Sequence, residues 1–296
     1  MDIIITMAGL GSRFRKVGYN CPKYMIEAKG KTLFDWSMDS LVDYNKHVDR
    51  YVFVVRAEDH AEEFIKKHCA AYGIHDVKIV ELDHMTDGQA TTCMLAIPYC
   101  DQNSSIMVYN IDTYVEPNEM KYEDISGDGH IPCFHADGDH WSFVKLNSEG
   151  KAIEVREKKR ISDNCTLGAY YFSSAKLYKE LYEEYYADES RLEKNEKYIA
   201  PLYNFMIEKG MPVTISIVDA KKVMSWEPRK NCKFFYRRTK MFEKVMKGIQ
   251  RRLKEARRGS QLICSDLLQN WLAAGVVCPI KLRSILYRLA RNKIGK

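Results

Sequence analysis

Four residues near the start of the chain have the types and spacing to hold a phosphate: Gly9, Gly11, Arg13 and Lys23. The two glycines can adopt positive φ, which lets successive backbone N–H groups converge on an anion without a Cβ in the way. Arg13 adds a forked charge, and Lys23, ten residues later and directly after Pro22, adds a point charge. The spacing matches neither the P-loop pattern G-x-x-x-x-G-K-[ST] nor the dinucleotide pattern G-x-G-x-x-G. A lone G-x-G also fits a tight turn beside a surface arginine. An apolar run from Ile3 to Met7 precedes the glycines, so the loop reads as a phosphate cradle delivered by a buried strand.

Further along, the apolar run 105–110 ends in Asn110-Ile111-Asp112-Thr113. A carboxylate just past the carboxyl end of a central strand lies where open α/β sheets bind ligands, so Asp112 is the expected metal ligand. Magnesium takes oxygen ligands, keeps several waters and is commonly held by one or two carboxylates plus substrate phosphates, so one aspartate can start such a site. The plainer alternative for Asp112 is a turn or helix cap. The run 86–92 (TDGQATT) opens a helix with Thr86 or Asp87 as its cap. Glu157-Lys158 lies in the charged run EVREKKR, where an ordinary surface ion pair is the simple reading. His130, His135 and His140, with Asp137 and Asp139, suggest a metal cluster, but strand alternation puts some of them on opposite faces, and solvated turns are favoured.

These residues need a frame. Apolar spacing predicts a helix over 32–44, a strand over 51–55, a helix over 57–72 and a strand over 77–82. That β-α-β alternation predicts a mainly parallel sheet with right-handed crossovers. From 131 to 172 the pattern changes to short strands, IPCFHA, WSFVKL, AIEVRE and TLGAYYF, separated by Asp, Gly and Asn turns. Helices over 174–184 and 189–209 and a strand over 211–218 close the body. A long helix over 231–257 and two shorter ones over 261–272 and 279–291 are expected beyond it, broken at Gly259-Ser260 and at Gly275 with Pro279.

The opening motif resembles that of the sugar-phosphate nucleotidyltransferases. It is carried by Ala8-Gly9-Leu10-Gly11-Ser12-Arg13-Phe14, by Pro22-Lys23 and by Gly30-Lys31-Thr32-Leu33. The resemblance covers roughly 1–228 and implies an α/β fold with a mainly parallel, mixed central sheet flanked by helices, a Rossmann-like nucleotidyltransferase fold. It implies that residues 8–12 and Arg13 wrap an NTP and that Lys23 touches the phosphates where the bond is exchanged. Gly88 and Gln89 would face the nucleobase and Asp112 would hold Mg²⁺. Glu157 would grip sugar hydroxyls, Lys158 the acceptor phosphate, and Gly168 would complete the same E-K…G pattern. Relatives often carry a second metal aspartate or a G-T-P-E turn near the end of the body. Here the chain reads Met224-Ser225-Trp226-Glu227-Pro228, so Glu227 stands in as the second carboxylate or only solvates the turn.

The bulk properties agree with a folded enzyme. With 296 residues and 46% hydrophobic content, the chain can bury a sizeable core. No stretch has the apolar length of a membrane span, and the first residues lack a basic n-region, so a cytoplasmic protein is expected. Nine scattered cysteines never form C-x-x-C, which argues for reduced thiols over a disulfide framework or a zinc ribbon. Residues 229–296 hold 19 Lys and Arg against 3 Asp and Glu, leaving the first 228 with 27 against 37. The organisation expected is therefore an acidic catalytic domain, 1–228, with a basic helical C-terminal extension, 229–296.

The expected reaction is Mg²⁺-dependent transfer of a nucleotidyl group from an NTP to a phosphorylated acceptor, with a sugar 1-phosphate first and a phosphocholine-like phosphate used with CTP second. The acceptor phosphate is already ionised at neutral pH, so no general base is needed and the task reduces to positioning and charge neutralisation. A glycosyltransferase of similar fold would be expected to show D-x-D where this chain has N-I-D. A catalytically idle nucleotide-binding scaffold is the alternative outside the enzymes. The apolar positions of the extension predict packing on the body or across a homo-oligomer, and its charge suits anionic lipid and a surface-glycan pathway. Nucleic acid is not expected, since no reader motif accompanies the charge.

Overall fold

The computed structural model describes residues 1–193 and 195–225. The extension with its three expected helices, the 228/229 boundary and Glu227 lie outside the described residues. The first half runs β1 (Asp2–Thr6), α1 (Ser12–Arg15), β2 (Glu27–Ala28), β3 (Lys31–Thr32), α2 (Leu33–Asp39), β4 (Arg50–Arg56), α3 (Glu62–Ala71), β5 (Val77–Leu82), α4 (Gln89–Met94), β6 (Ile106–Asn110) and β7 (Thr113–Val115). The second half adds β8 (Gly129–His135), β9 (Ser142–Leu146), β10 (Ala152–Glu157), β11 (Asn164–Thr166), β12 (Ala169–Phe172), α5 (Ala175–Tyr185), α6 (Ala200–Glu208), β13 (Val213–Val218) and β14 (Val223–Ser225).

Ten strands form one mixed sheet in the order β10-β9-β11-β8-β12-β6-β1-β4-β5, with β13 also paired to β8. β6, β1, β4 and β5 are mutually parallel, as the alternating pattern of the first half requires. β12 joins the two halves by pairing antiparallel with both β6 and β8. Successive residues of the central strands serve opposite cores. Ile4, Val52, Val54 and Val108 pack with Ala90, Tyr178 and Met206 from α4, α5 and α6. Ile3, Ile5, Phe53, Val55 and Tyr109 pack with Phe34 and Met38 of α2 and Ile65 of α3. Burial on both faces is why these strands read as continuous apolar runs.

Several boundaries differ from the sequence expectation. The helix over 32–44 stops at Asp39, with Thr32 as its cap in a reciprocal Thr32–Asp35 box, and a separate 3-10 turn forms at Tyr44–Lys46. The helix over 57–72 is a 3-10 turn, Ala57–Asp59, followed by α3, and His60 breaks them apart at φ +46. The expected helix over 189–209 is the largest miss. Only a 3-10 turn, Glu189–Arg191, forms before an antiparallel Glu193–Glu196 bridge, and α6 begins at Ala200. Pro201 explains the late start, because a residue without an N–H fits the first helical turn and no later one. The histidine reading also changes at one position. His130 is buried on β8 between the Thr214 and Ser216 hydroxyls, and burial lowers its pKa to about 4, so it is a neutral core residue and not part of a solvated turn. The six described cysteines are free thiols.

The short segment after β6 is held unusually firmly. The Thr113 carbonyl accepts from Tyr109 Oη at 2.8 Å and from Ser37 Oγ at 3.3 Å, and the Val115 N–H donates to Ser40 Oγ at 2.9 Å. Both serines come from the α2 region, so that helix fixes the backbone carrying Asp112. Ser40→Ala would leave the buried Val115 N–H without its side-chain acceptor, a loss of about 1–3 kcal/mol. The expected result is a lower urea midpoint with an unchanged slope, and an unchanged midpoint would show that Ser40 does not anchor this segment.

Candidate active site

The site follows from strand direction. β1 and β6 are parallel and end together, which sets the loop after Thr6 beside Asn110 and Asp112. β12 runs the other way, so its entry at Gly168 lies beside the end of β6, and the Asn110 N–H donates to the Gly168 carbonyl at 3.0 Å. In the antiparallel half, Glu157 at the end of β10 pairs with Ser142 at the start of β9. The result is one open cavity of about 460 Å³. It is lined by Gly11, Ser12, Arg13, Lys23, Gln89, Asp112, Glu157, Lys158 and Gly168, nine of the residues selected from sequence. Ala8, Gly9, Leu10 and Gly88 do not line it. Ala8 is packed into the core, Leu10 is exposed, and Gly88 lies beneath the Lys197 backbone.

At the phosphate end, Gly11 takes φ +58 while Gly9 does not adopt a positive φ. Among the described residues, the N–H groups of Gly9, Leu10 and Gly11 find no backbone carbonyl. N–H groups without a backbone partner are the kind that can converge on an anion. Arg13 is exposed at the mouth, and Lys23 Nζ lies 2.7 Å from Asp112 Oδ2. Burial alone would raise the Asp112 carboxyl, but the Lys23 ammonium more than reverses this, so the group is held below the usual carboxylate range. With 44% of its side-chain surface open, Asp112 is still reachable by a ligand.

The turn entering α4 is built differently from the capped helix expected at Thr86 or Asp87. Gly88 is the N-cap of α4 and no side chain caps the helix. Asp87 instead binds Lys197 Nζ at 2.8 Å and accepts from Thr91 Oγ1. Burial would raise its pKa, and these partners lower it on balance. Gln89 Nε2 donates to Thr6 Oγ1 at 3.1 Å and to Asn110 Oδ1. With both amide hydrogens so used, the group Gln89 can offer a ligand is its carbonyl oxygen.

On the antiparallel side of the cavity Glu157 and Lys158 stand in a wider polar network. Glu157 Oε2 accepts from Ser142 Oγ, and Glu157 Oε1 lies 3.3 Å from Lys158 Nζ. Lys158 takes φ +49, a left-handed backbone that a non-glycine residue adopts at a cost, and its N–H donates to the Trp141 carbonyl at 2.9 Å. Asn110, Trp141, Ser142, Thr166, Tyr170, Glu196 and Tyr198 also line the cavity and were not selected. Strand register brings Ser142 opposite Glu157, and no local pattern announces register. Gly168, at φ +76, has no room for a Cβ, which would stand 2.6 Å from Asn110 Nδ2. In Gly168→Ala the backbone strain alone should cost about 1–2 kcal/mol. Displacing Asn110 should also free Gln89, so the variant is expected to lose thermal stability and nucleotide affinity together, read by calorimetry. Unchanged nucleotide affinity would show that the Asn110–Gln89 pair does not shape that subsite.

No protein-family model matches the chain, nor does any curated protein. Solved structures do. A nucleoside-diphosphate-sugar pyrophosphorylase from Vibrio cholerae RC9 is 36% identical over 80% of this chain and 100% of its own, with a TM-score of 0.73. An inositol-1-phosphate CTP transferase from T. maritima shares 18% identity over 80% of this chain and 93% of its own, at a TM-score of 0.63. A Bacillus anthracis protein assigned as a glucose-1-phosphate thymidylyltransferase shares 16% over 77% and 89%, at 0.62. The last two speak for the fold alone. The first, at its identity and coverage, joins with the opening loop and the sheet order to show that this chain belongs to the sugar-phosphate nucleotidyltransferase family.

Proposed function

We propose that the protein is a Mg²⁺-dependent nucleotidyltransferase that joins an NTP to a sugar 1-phosphate, releasing pyrophosphate and leaving a nucleoside-diphosphate sugar for surface-glycan synthesis. The observation that carries this reading is the Lys23–Asp112 pair facing Glu157 and Lys158 within one cavity. Transfer brings two anions together, and the cavity supplies cations for both. Arg13 and the loop N–H groups hold the β- and γ-phosphates, Lys23 moves from Asp112 to the reacting α-phosphate, and Lys158 holds the acceptor phosphate while Glu157 and Ser142 bind hydroxyls. An oxygen of the acceptor phosphate forms the new bond to the α-phosphorus as the bond to the departing pyrophosphate breaks. No side chain needs to take a proton, because the acceptor is already ionised.

The donors suit magnesium. Among the described residues no three acidic, histidine or cysteine side chains gather as a ready metal cage. A single open, ionised carboxylate is what magnesium needs beside substrate phosphates and water, and Asp112 is one. When bound, the ion supplies charge neutralisation at the phosphates. Glu227 remains the proposed second ligand.

The test is pyrophosphate release from each of the four common NTPs against glucose 1-phosphate, mannose 1-phosphate, myo-inositol 1-phosphate and phosphocholine. Fast release with phosphocholine alone would move the assignment to the cytidylyltransferase alternative, and none with any pair would leave the idle scaffold. Asp112→Asn should cut turnover about a hundredfold or more, the roughly 2.7–4 kcal/mol typical of a lost transition-state charge partner. Near wild-type turnover in saturating Mg²⁺ would remove Asp112 from the metal site.

We further propose a homo-oligomer formed through the basic extension, with leftover charge available to anionic membrane. Among the described residues no helix is long and apolar enough to cross a membrane. Truncation after Pro228 should lower the sedimentation coefficient beyond the lost mass and weaken binding to vesicles containing phosphatidylserine. If neither changes, the extension is not an assembly or docking element.

A further inference from the structure

Residues 196–198 touch both halves of the cavity. On the nucleotide side, the Lys197 N–H donates to the Asp87 carbonyl at 2.8 Å, and the Lys197 carbonyl accepts from the Ala90 N–H at 3.0 Å. The strap lies flat on this turn, since a Cβ at Gly88 would stand 2.3 Å from the Lys197 carbonyl oxygen. One residue further, Tyr198 Oη accepts from Lys158 Nζ at 3.1 Å, and the ammonium sits 4.6 Å from the Tyr198 ring centroid. The strap is held from behind, where Tyr186 Oη donates to the Tyr198 carbonyl at 2.6 Å.

We propose that Tyr198 is a positioning residue that sets the Lys158 ammonium for the acceptor phosphate, and that the Lys197 backbone keeps this ammonium in register with the Gly88–Gln89 turn. The proposal rests on the functional reading above. A lysine is a point charge on a flexible four-carbon stem, and holding it in one place costs rotamer entropy that a phosphate would otherwise have to supply on binding. Glu157 alone, at 3.3 Å, fixes Lys158 from one side. The Tyr198 hydroxyl and ring fix it from another, and the left-handed backbone at Lys158 aims the stem between them. Desolvation pulls the Lys158 pKa down, but Tyr198 and Glu157 more than offset it, so on balance it is raised. In-line transfer is steeply sensitive to placement, so a strap bonded to both subsites ties the acceptor to the nucleotide through one short piece of backbone.

The test compares wild type, Tyr198→Phe, which keeps the ring, and Tyr198→Ala, which keeps neither group, all in the full chain. With glucose 1-phosphate as acceptor, Tyr198→Phe should raise the acceptor KM about tenfold, the size of one hydrogen bond to a charged group. Tyr198→Ala should raise it further, with nucleotide Kd by calorimetry unchanged in both. Tyr198→Phe added to Lys158→Ala should cost nothing more, because the two residues then share one effect. A second arm needs no turnover: competitive acetic-anhydride labelling of Lys158 across pH, read by mass spectrometry, should show a lower midpoint in Tyr198→Phe. If wild type releases no pyrophosphate, the functional reading falls while the labelling arm still decides the role of Tyr198. An unchanged labelling midpoint overturns the proposal, and so does a loss of nucleotide affinity equal to that of acceptor affinity.

Discussion

An ammonium and a carboxylate 2.7 Å apart, Lys23 Nζ and Asp112 Oδ2, meet in the cavity because the rest of the fold brings the segments carrying them together. Neither is deeply sealed. The side chains are 19% and 44% exposed, so solvent screens the pair and leaves both groups open to other partners. In the proposed reaction a phosphate takes the lysine and a divalent cation the carboxylate. The frame around them is far less negotiable. Lys23 opens the 3-10 turn Lys23–Met25 directly after Pro22, and the next residue, Tyr24, is buried with its hydroxyl donating to Asp59 at 3.1 Å. Asp112 precedes a strand tied to α2 by two serine hydrogen bonds.

The two halves of the cavity exist because one sheet changes direction at β12. Parallel strands bring loop ends to one edge, where the loop after Thr6 meets Asn110 and Asp112, while antiparallel strands bring one strand's end beside its neighbour's start, which makes the Glu157–Ser142 pairing. Where the two patterns meet, Gly168 passes so close to Asn110 that no side chain fits, and Asn110 in turn holds Gln89. The parallel and antiparallel sides of the cavity therefore share a wall. Lys197 and Tyr198 join the two sides a second time, through bonds to the Asp87–Ala90 turn and to Lys158. Two such ties suit chemistry whose main demand is that two anionic substrates be held at one distance and one angle.

The amino-acid sequence alone determined the elements with strong apolar periodicity and the motif that begins the chain. Continuous apolar runs over 51–55 and 105–110 become β4 and β6 because strands buried on both faces admit little else, whereas 77–82, with Lys78 and Glu81 exposed, becomes β5 at the sheet edge. That Gly11, Arg13, Lys23, Asp112, Glu157 and Lys158 gather at one cavity follows from short motifs placed by local chain geometry or at a strand end. The tertiary structure decided where the chain breaks at 189–209, since a proline-limited helix start and a short bridge outweigh helical spacing. It also decided the contributions of Asn110, Ser142, Tyr170 and Tyr198 to the site. Those residues come from strands and a strap far apart in sequence, and their meeting depends on register and on the reversal at β12, long-range pairings that no local pattern of residue types encodes.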